Sequence, residues 1–472
     1  LILAQGGITF LHLRVPSPNE LMTGFLLVGN PLRRHAVVIG CLAAAPTFAM
    51  AQTPLRDAAV AKPAEAAPIL GVQSPRLSIG GQLRVRTEGY SGGGFTPGNS
   101  DAYALTRVLL SARVRPTRGT SLFVEGMDAR GPWMKKGPAG APFRDYADLR
   151  QLYLQVGGDN APQMLRAGRL ELAFGDGRLV GSLPWANTAR TFDGARTTVS
   201  GAGYRVDAFV ASVVKIYQDK FDRSVPGNNF YGVYSSFTKL VPNAAVEPFF
   251  FWRRQSGVTS ELGTRGTMNF GTIGLRAAGR LPSNFDYDTQ MAAQSGSLAD
   301  ESIRAWAGHW LLGLTLAGTR LTPRVFAEYN QASGDGDPAD NKKGTFDQLY
   351  PTAHDKYGLT DLVGWQNMKH ARAGLDLAIA KGWNATARYS DYWLANAHDA
   401  LYTGGGAVLA RSPTGVAGTH VGQEVDIIVS GKVRPGLGFS SGFGRLVPGT
   451  FLKNTTPGKA YTYPYAMLTY DF

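Results

Sequence analysis

From residue 76 onward, apolar and polar residues alternate in one segment of about ten residues after another, with turn-forming residues between the segments. A period of two belongs to β-strands, whose successive side chains project to opposite faces. The alternation predicts strands over 76–90, 102–115, 119–128, 147–157, 162–174, 190–200, 203–216, 228–240, 244–254, 264–280, 284–294, 302–317, 321–331, 367–379, 383–395, 420–433, 436–446 and 460–472, about eighteen in all.

The two faces of these strands differ in kind. In "GRLELAF" (168–174), Leu170, Leu172 and Phe174 fall on one face and Arg169 and Glu171 on the other. Such a wall suits a boundary between hydrocarbon and water, so the pattern puts the three apolar residues against lipid and the two charges in a wet lumen. No run reaches the roughly 18 apolar residues of a spanning helix; the nearest, 305–319, carries His309 and several glycines. A chain that crosses a membrane without helices must close its strands on themselves, because lipid offers no partner to an open sheet edge. The fold expected is therefore all-β, a transmembrane antiparallel β-barrel over 76–472.

The last strand sharpens this expectation. In "AYTYPYAMLTYDF" (460–472), Leu468, Tyr470 and Phe472 share a face and the chain ends on Phe472. A terminal Phe after alternating apolar residues resembles the carboxy-terminal signature of bacterial outer-membrane proteins. An unpaired strand of this kind in water would invite aggregation.

The same alternation names an inner wall. Arg84, Arg86 and Glu88 oppose Leu83 and Val85, while Arg107, Ser111, Arg113 and Arg115 oppose Val108, Leu110, Ala112 and Val114. Arg372 and Asp376 oppose Leu375 and Leu377, and Arg388 with Asn384 and Thr386 opposes Ala385, Ala387 and Tyr389. Arginine outnumbers acid on this wall. For any one of these arginines, a structural ion pair across the wall is as good a reading as a role in transport.

Composition bears on partner and compartment. The net charge of +13 calls for an anionic partner: nucleic acid, acidic head groups or an acidic polymer. Arg33-Arg34-His35, the apolar run 36–45 and Ala49-Met50-Ala51 read as a signal peptide cleaved before Gln52, with 1–32 as an over-long upstream start. Val38-Ile39-Gly40-Cys41 lies too close to His35 to serve as a lipoprotein box. Export makes nucleic acid a poor partner. Cys41, the one cysteine, leaves with the signal, so neither disulfides nor thiolate metal sites are expected. Residues 52–75, rich in Ala and Pro, read as a mobile periplasmic leader.

The run "GRLELAFGDGRLVGSLPWANTARTFDGAR" (168–196) resembles the signature of the bacterial alginate-export family of outer-membrane porins, and "GTFDQLYPTAHDKYGLTDLVGWQN" (344–367) is similar to that family's long loop segment. The resemblance implies an eighteen-stranded monomeric barrel with an arginine-rich, electropositive constriction that passes an anionic polyuronate out of the cell. By motif it points to Arg169, Glu171, Arg190 and Asp193. Arg84, Arg86, Arg107, Arg113, Arg372 and Arg388 join them through the inward-facing pattern alone.

The function expected is an outer-membrane channel that exports an anionic polysaccharide, alginate or a related polyuronate. Its partners would be that cargo, outer-membrane lipid and lipopolysaccharide, and components of a periplasmic secretion apparatus; no cofactor or metal is expected. The alternative is an anion-selective porin for small acidic solutes. A hydrolase has less support, since His309, His354, His370, His398 and His420 form no recognised catalytic or metal motif. His354-Asp355 reads as polar surface, "SGDGDPADNKKG" (333–344) as a solvated loop rather than a Ca²⁺ loop, and "GDG" (175–177) as turn chemistry. The long connection 396–419 is the candidate gate.

Overall fold

The computed structural model describes residues 72–136 and 143–472. The predicted signal peptide and residues 52–71 of the predicted leader lie outside the described residues. Val72–Gln73 pairs antiparallel with Ile79 and Ser78.

Eighteen long strands make the wall. They are Leu77–Ser91, Ser100–Thr117, Thr120–Arg130, Asp145–Val156, Gln163–Leu170 and Phe192–Gly201; then Tyr204–Lys215, Arg223–Phe237, Ala244–Thr259, Arg265–Arg280, Phe285–Leu298 and Glu301–Thr315; and finally Arg324–Ala332, Met368–Ala380, Trp383–Leu394, His420–Arg434, Leu437–Pro448 and Tyr461–Asp471. Each strand pairs antiparallel with the next. The last returns to the first, with Tyr470 opposite Leu83 and Leu468 opposite Val85. The sheet is thereby a closed barrel with no free edge.

Alternation carries through to the two surfaces. Leu83, Val85, Leu110, Leu154, Ile273, Leu312, Ile427 and Leu468 are exposed on the outside, where they meet lipid. Between them inward side chains such as Arg84, Arg86, Arg107 and Glu328 are buried, while those nearer the short turns, such as Gln82 and Arg113, are half-buried. Short turns such as 118–119, 202–203, 381–382 and 435–436 join the strands at one end, and long connections such as 171–191, 333–367 and 395–419 join them at the other. Phe472 lies at the short-turn end, where its backbone exchanges hydrogen bonds with Gly81 at 2.9 and 3.0 Å.

The strand expected over 162–174 stops at Leu170. Beyond it the chain leaves the wall, and Gly175 and Gly177 turn it with φ of 56° and 76°, as the Gly-Asp-Gly turn chemistry anticipates.

Candidate functional site in the barrel lumen

Two of the long connections turn inward and fill the lumen. Residues 171–191 touch inward-facing side chains on three sides of the barrel. Phe174 stacks on Phe209 and Tyr234 with ring centroids 5.4 and 5.1 Å apart. On another side Arg178 reaches His309 and Asn330, and on a third Pro184 and Ala186 meet Arg84 and Arg107. Residues 344–367 knit to this segment through a parallel bridge between Val180 and Tyr350. The Gly181 N–H donates to the Tyr350 carbonyl at 2.9 Å, and the Thr352 N–H to the Gly177 carbonyl at 2.8 Å.

Six of the sequence-predicted residues line the lumen wall. Arg84 and Arg107 face each other in register and donate to the same carbonyls: Arg84 to Pro184 (2.7 Å) and Ala186 (3.1 Å), Arg107 to both at 3.2 Å. Arg86 donates to the Trp185 carbonyl at 2.6 Å, lies 3.9 Å from the centre of that indole and pairs with Glu88. Arg372 pairs with Glu328 and Arg388 with Asp355 of the inward segment. Arg113, nearer the short-turn end, bonds to the Tyr153 hydroxyl at 3.1 Å and lies 3.9 Å from Asp159. Tyr153 also packs beneath Arg166, whose guanidinium lies 3.7 Å from the same Asp159.

Two more sit on the inward segment 171–191. Glu171 pairs with Arg150, a wall residue that also holds Glu125. Arg190 donates to the carbonyls of Gly181 and Pro351, at 3.4 and 3.0 Å. Burial pushes it down to about 10, with Arg253 adding to the effect and Tyr350 opposing it.

Arg169 and Asp193 lie elsewhere. Arg169 is opposite Leu152 in register and so shares the outward face with Leu152 and Leu154, both exposed. It forms a two-pronged bond to Asp193 at 2.8 and 3.1 Å, outside the lumen. Leu170, Leu172 and Phe174, expected against lipid, are buried inside, in a cluster with Phe192, Phe209, Phe230 and Phe251. The assignment of faces in 168–174 is therefore inverted. The physical reason is that this part of the lumen holds a folded apolar core, so an inward position there is filled by oil rather than by water.

Sequence reasoning also missed most of the acid. Arg178 lies 3.1 Å from Asp176 and 3.7 Å from Glu328, and Arg276 pairs with Glu247 and Asp288 at 2.5 and 2.6 Å. Arg253 meets Asp347 at 2.7 Å, Arg324 meets Asp286 and Asp376, and Arg196 meets Asp207. Alternation within each strand names Glu247, Asp288 and Glu328 as inward, but not the arginine opposite. The arginine excess expected on the wall is thus largely matched by carboxylates. Arg84, Arg107 and Arg190 differ: among the described residues none has a carboxylate within 4.0 Å, and neutral oxygens meet their charge, backbone carbonyls for all three with the side-chain amide of Asn187 added at Arg84 and that of Gln82 at Arg107.

The other predicted motifs are parts of the same filling. His354 is not surface: its ring stacks on Trp185 and its Nδ1 lies 2.7 Å from Asp361, while Asp355 faces Arg388. In 333–344, Asp335 is buried and accepts from the N–H groups of Asp337 and Gly344. The connection 396–419 carries a short pairing of Leu401–Tyr402 with Val408–Ala410, and braces the inward segment from behind. The Gly364 N–H donates to Tyr402 and the Gln348 side chain to Gly404, both at 2.8 Å.

Residues 75–465 match the family described as Alginate export. The chain belongs to the alginate export family. Solved structures share the fold of this alginate-export chain at low identity. A BenF-like porin from Pseudomonas fluorescens Pf-5 is 11% identical, covering 84% of this chain and 98% of its own with a TM-score of 0.58. OccK8 (OprE) of Pseudomonas aeruginosa is 12% identical over 84% and 98%, TM-score 0.57. OccAB3 of Acinetobacter baumannii is 13% identical over 84% and 99%, TM-score 0.56. No curated protein matches the chain. Family and fold together make this alginate-export protein a channel of the bacterial outer membrane.

Proposed function

We propose that this channel exports an anionic polysaccharide, alginate or a related polyuronate. The observation that carries the reading is the pair Arg84 and Arg107: two guanidiniums opposite each other on the lumen wall, buried, with no carboxylate within 4.0 Å among the described residues and only neutral oxygens in front of them, the carbonyls of Pro184 and Ala186 and the side-chain amides of Asn187 and Gln82. A uronate carboxylate offers a planar guanidinium two charged oxygens, a stronger partner than a neutral carbonyl. An arriving polymer would compete with the inward segment 171–191 for the same donors, so cargo recognition and displacement of the filling would be one event.

The wall below supports the same cargo. Arg113 and Arg166 flank Tyr153 toward the short-turn end and share the single, half-exposed Asp159. In a barrel of this kind that end faces the periplasm. Carboxylates spaced along a polymer could be handed from this pair to Arg84 and Arg107, each contact weak enough to release.

Planar-bilayer conductance with uronate oligomers of graded length tests the reading. Export of a polymer predicts block at lower concentration as the oligomer lengthens, weak block by neutral chains of equal length, and loss of the length dependence in an Arg84→Gln, Arg107→Gln variant. Anion preference without length dependence would mark a porin for small acidic solutes. Equal block by neutral and acidic chains would refute the exporter.

A further inference from the structure

Beside Arg169, on the outer side of the long-loop rim, three aspartates converge. Asp145 and Asp148 open the strand Asp145–Val156, and Asp222 ends the connection 216–222, which folds across them. One carboxylate oxygen of each lies within 4.8 Å of the others. The connection is laid against the strand by its backbone: the Tyr146 N–H donates to the Gln218 carbonyl at 3.0 Å and the Asp222 N–H to the Asp148 carboxylate at 2.6 Å.

Asp145 is the telling member. It is fully buried, and among the described residues neither of its carboxylate oxygens has a hydrogen-bond partner. Its neighbours are otherwise engaged. Asp148 accepts from the N–H groups of Leu149 and Asp222, and Asp222 accepts from Tyr217. The adjacent cation, Arg169, is taken up by Asp193 and by the carbonyls of Leu149 and Asp222. A buried carboxylate without a partner, beside two more carboxylates, is a site short of positive charge.

We propose that Asp145, Asp148 and Asp222 hold a Ca²⁺ ion that clamps the connection 216–222 to the barrel wall. The donor set is all oxygen, which suits a hard cation. Ca²⁺ binds oxygen at 2.3–2.6 Å, so ligands across the ion stand up to about 5 Å apart, whereas Mg²⁺ at 2.0–2.1 Å draws them to about 4 Å. Three oxygens that all lie within 4.8 Å of one another can share one Ca²⁺, and water would complete its shell. The third ligand comes from 74 residues beyond the second, so no local motif announces the site.

The full chain, refolded in detergent and stripped with a chelator, provides the test. Tb³⁺ should luminesce on excitation of Tyr146 and Tyr217, which adjoin the site, and Ca²⁺ alone should displace it. Ca²⁺ should also protect Lys220 from trypsin; at ten times its dissociation constant, cleavage should slow about tenfold, because cleavage follows the open population. Asp145→Asn should abolish both effects and leave the heat-modifiability of the barrel unchanged. Should that variant misfold, Asp222→Asn, on the connection rather than the wall, carries the same test. Wild-type protein without Ca²⁺ protection, or a variant as Ca²⁺-dependent as wild type, would overturn the proposal.

Discussion

Trp185 and His354 stack face to face, ring centroids 3.7 Å apart and planes 3° from parallel, and through this contact the two inward segments lie against each other within the lumen. The indole is held from its surroundings as well, by Arg86 at 3.9 Å and by the edge-on ring of Tyr465 at 4.9 Å. It therefore ties both segments to the first and last strands.

Removing that ring should loosen the filling without touching the wall. Trp185→Ala gives up three aromatic or cation–π contacts, each worth about 0.5–1.5 kcal/mol, and none of them lies in the strand ladder. Single-channel recording should show larger and noisier conductance, while the variant keeps wild-type heat-modifiability. Unchanged conductance would mean that the segments stay in place without the stack.

Arg178 should matter more for stability. Its buried guanidinium joins Asp176, Glu328, His309 and Asn330, and lies 5.4 Å from the Tyr357 ring and 5.6 Å from that of Trp365. Arg178→Met leaves two buried carboxylates with one cation fewer, a change that costs about 3–5 kcal/mol when a buried pair is broken. Limited proteolysis should cut the segment 171–191 readily in this variant. Adding Asp176→Asn should recover part of the loss, since it removes one of the stranded charges.

The wall was legible in the sequence, because strand residues obey a period of two whatever the lumen contains. The predicted strand 264–280 is observed at Arg265–Arg280, and 460–472 at Tyr461–Asp471. The same period of two puts Arg84, Arg86 and Arg107 on the inner face, where they are found buried. What alternation cannot carry is the identity of the medium on each side. It reports that Leu170 and Arg169 oppose each other; that Leu170 faces in follows from a segment 171–191 that returns into the barrel and brings Phe174 against Phe209 and Tyr234. Pairings such as Arg178 with Glu328 join residues distant in the chain, and only the closed wall brings them together.

Acid should release the filling, and the sign can be worked out from two carboxylates on the inward segments. Burial would raise Asp355, yet Arg388 and His354 hold it below the usual range; burial would likewise raise Asp176, yet Lys356 and Arg178 hold it lower still. A carboxylate depressed in the folded state contributes its stability above its unfolded pKa of about 3.9 and loses it as pH falls through the folded value. Conductance should therefore be flat from about pH 7 to pH 5 and rise only below about pH 4. A rise already complete at pH 5 would point to other groups.

The inverted faces of 168–174 yield the most discriminating pair of substitutions. Leu170 is buried among Leu172, Phe174 and Phe192, so Leu170→Arg puts an unpaired charge into an apolar cluster, at a cost of several kcal/mol. The inward segment should be expelled and conductance should rise, although the site is a leucine in a lipid-spanning wall. Arg169 points outward and bonds Asp193, so Arg169→Glu sets like charges side by side on the rim. Selectivity and conductance should then stay as in wild type, while the connection 216–222, which Arg169 also holds through the Asp222 carbonyl at 2.9 Å, becomes more open to protease. The opposite result, a change of ion selectivity on Arg169→Glu and silence in the channel on Leu170→Arg, would return Arg169 to the lumen and shift this strand by one residue.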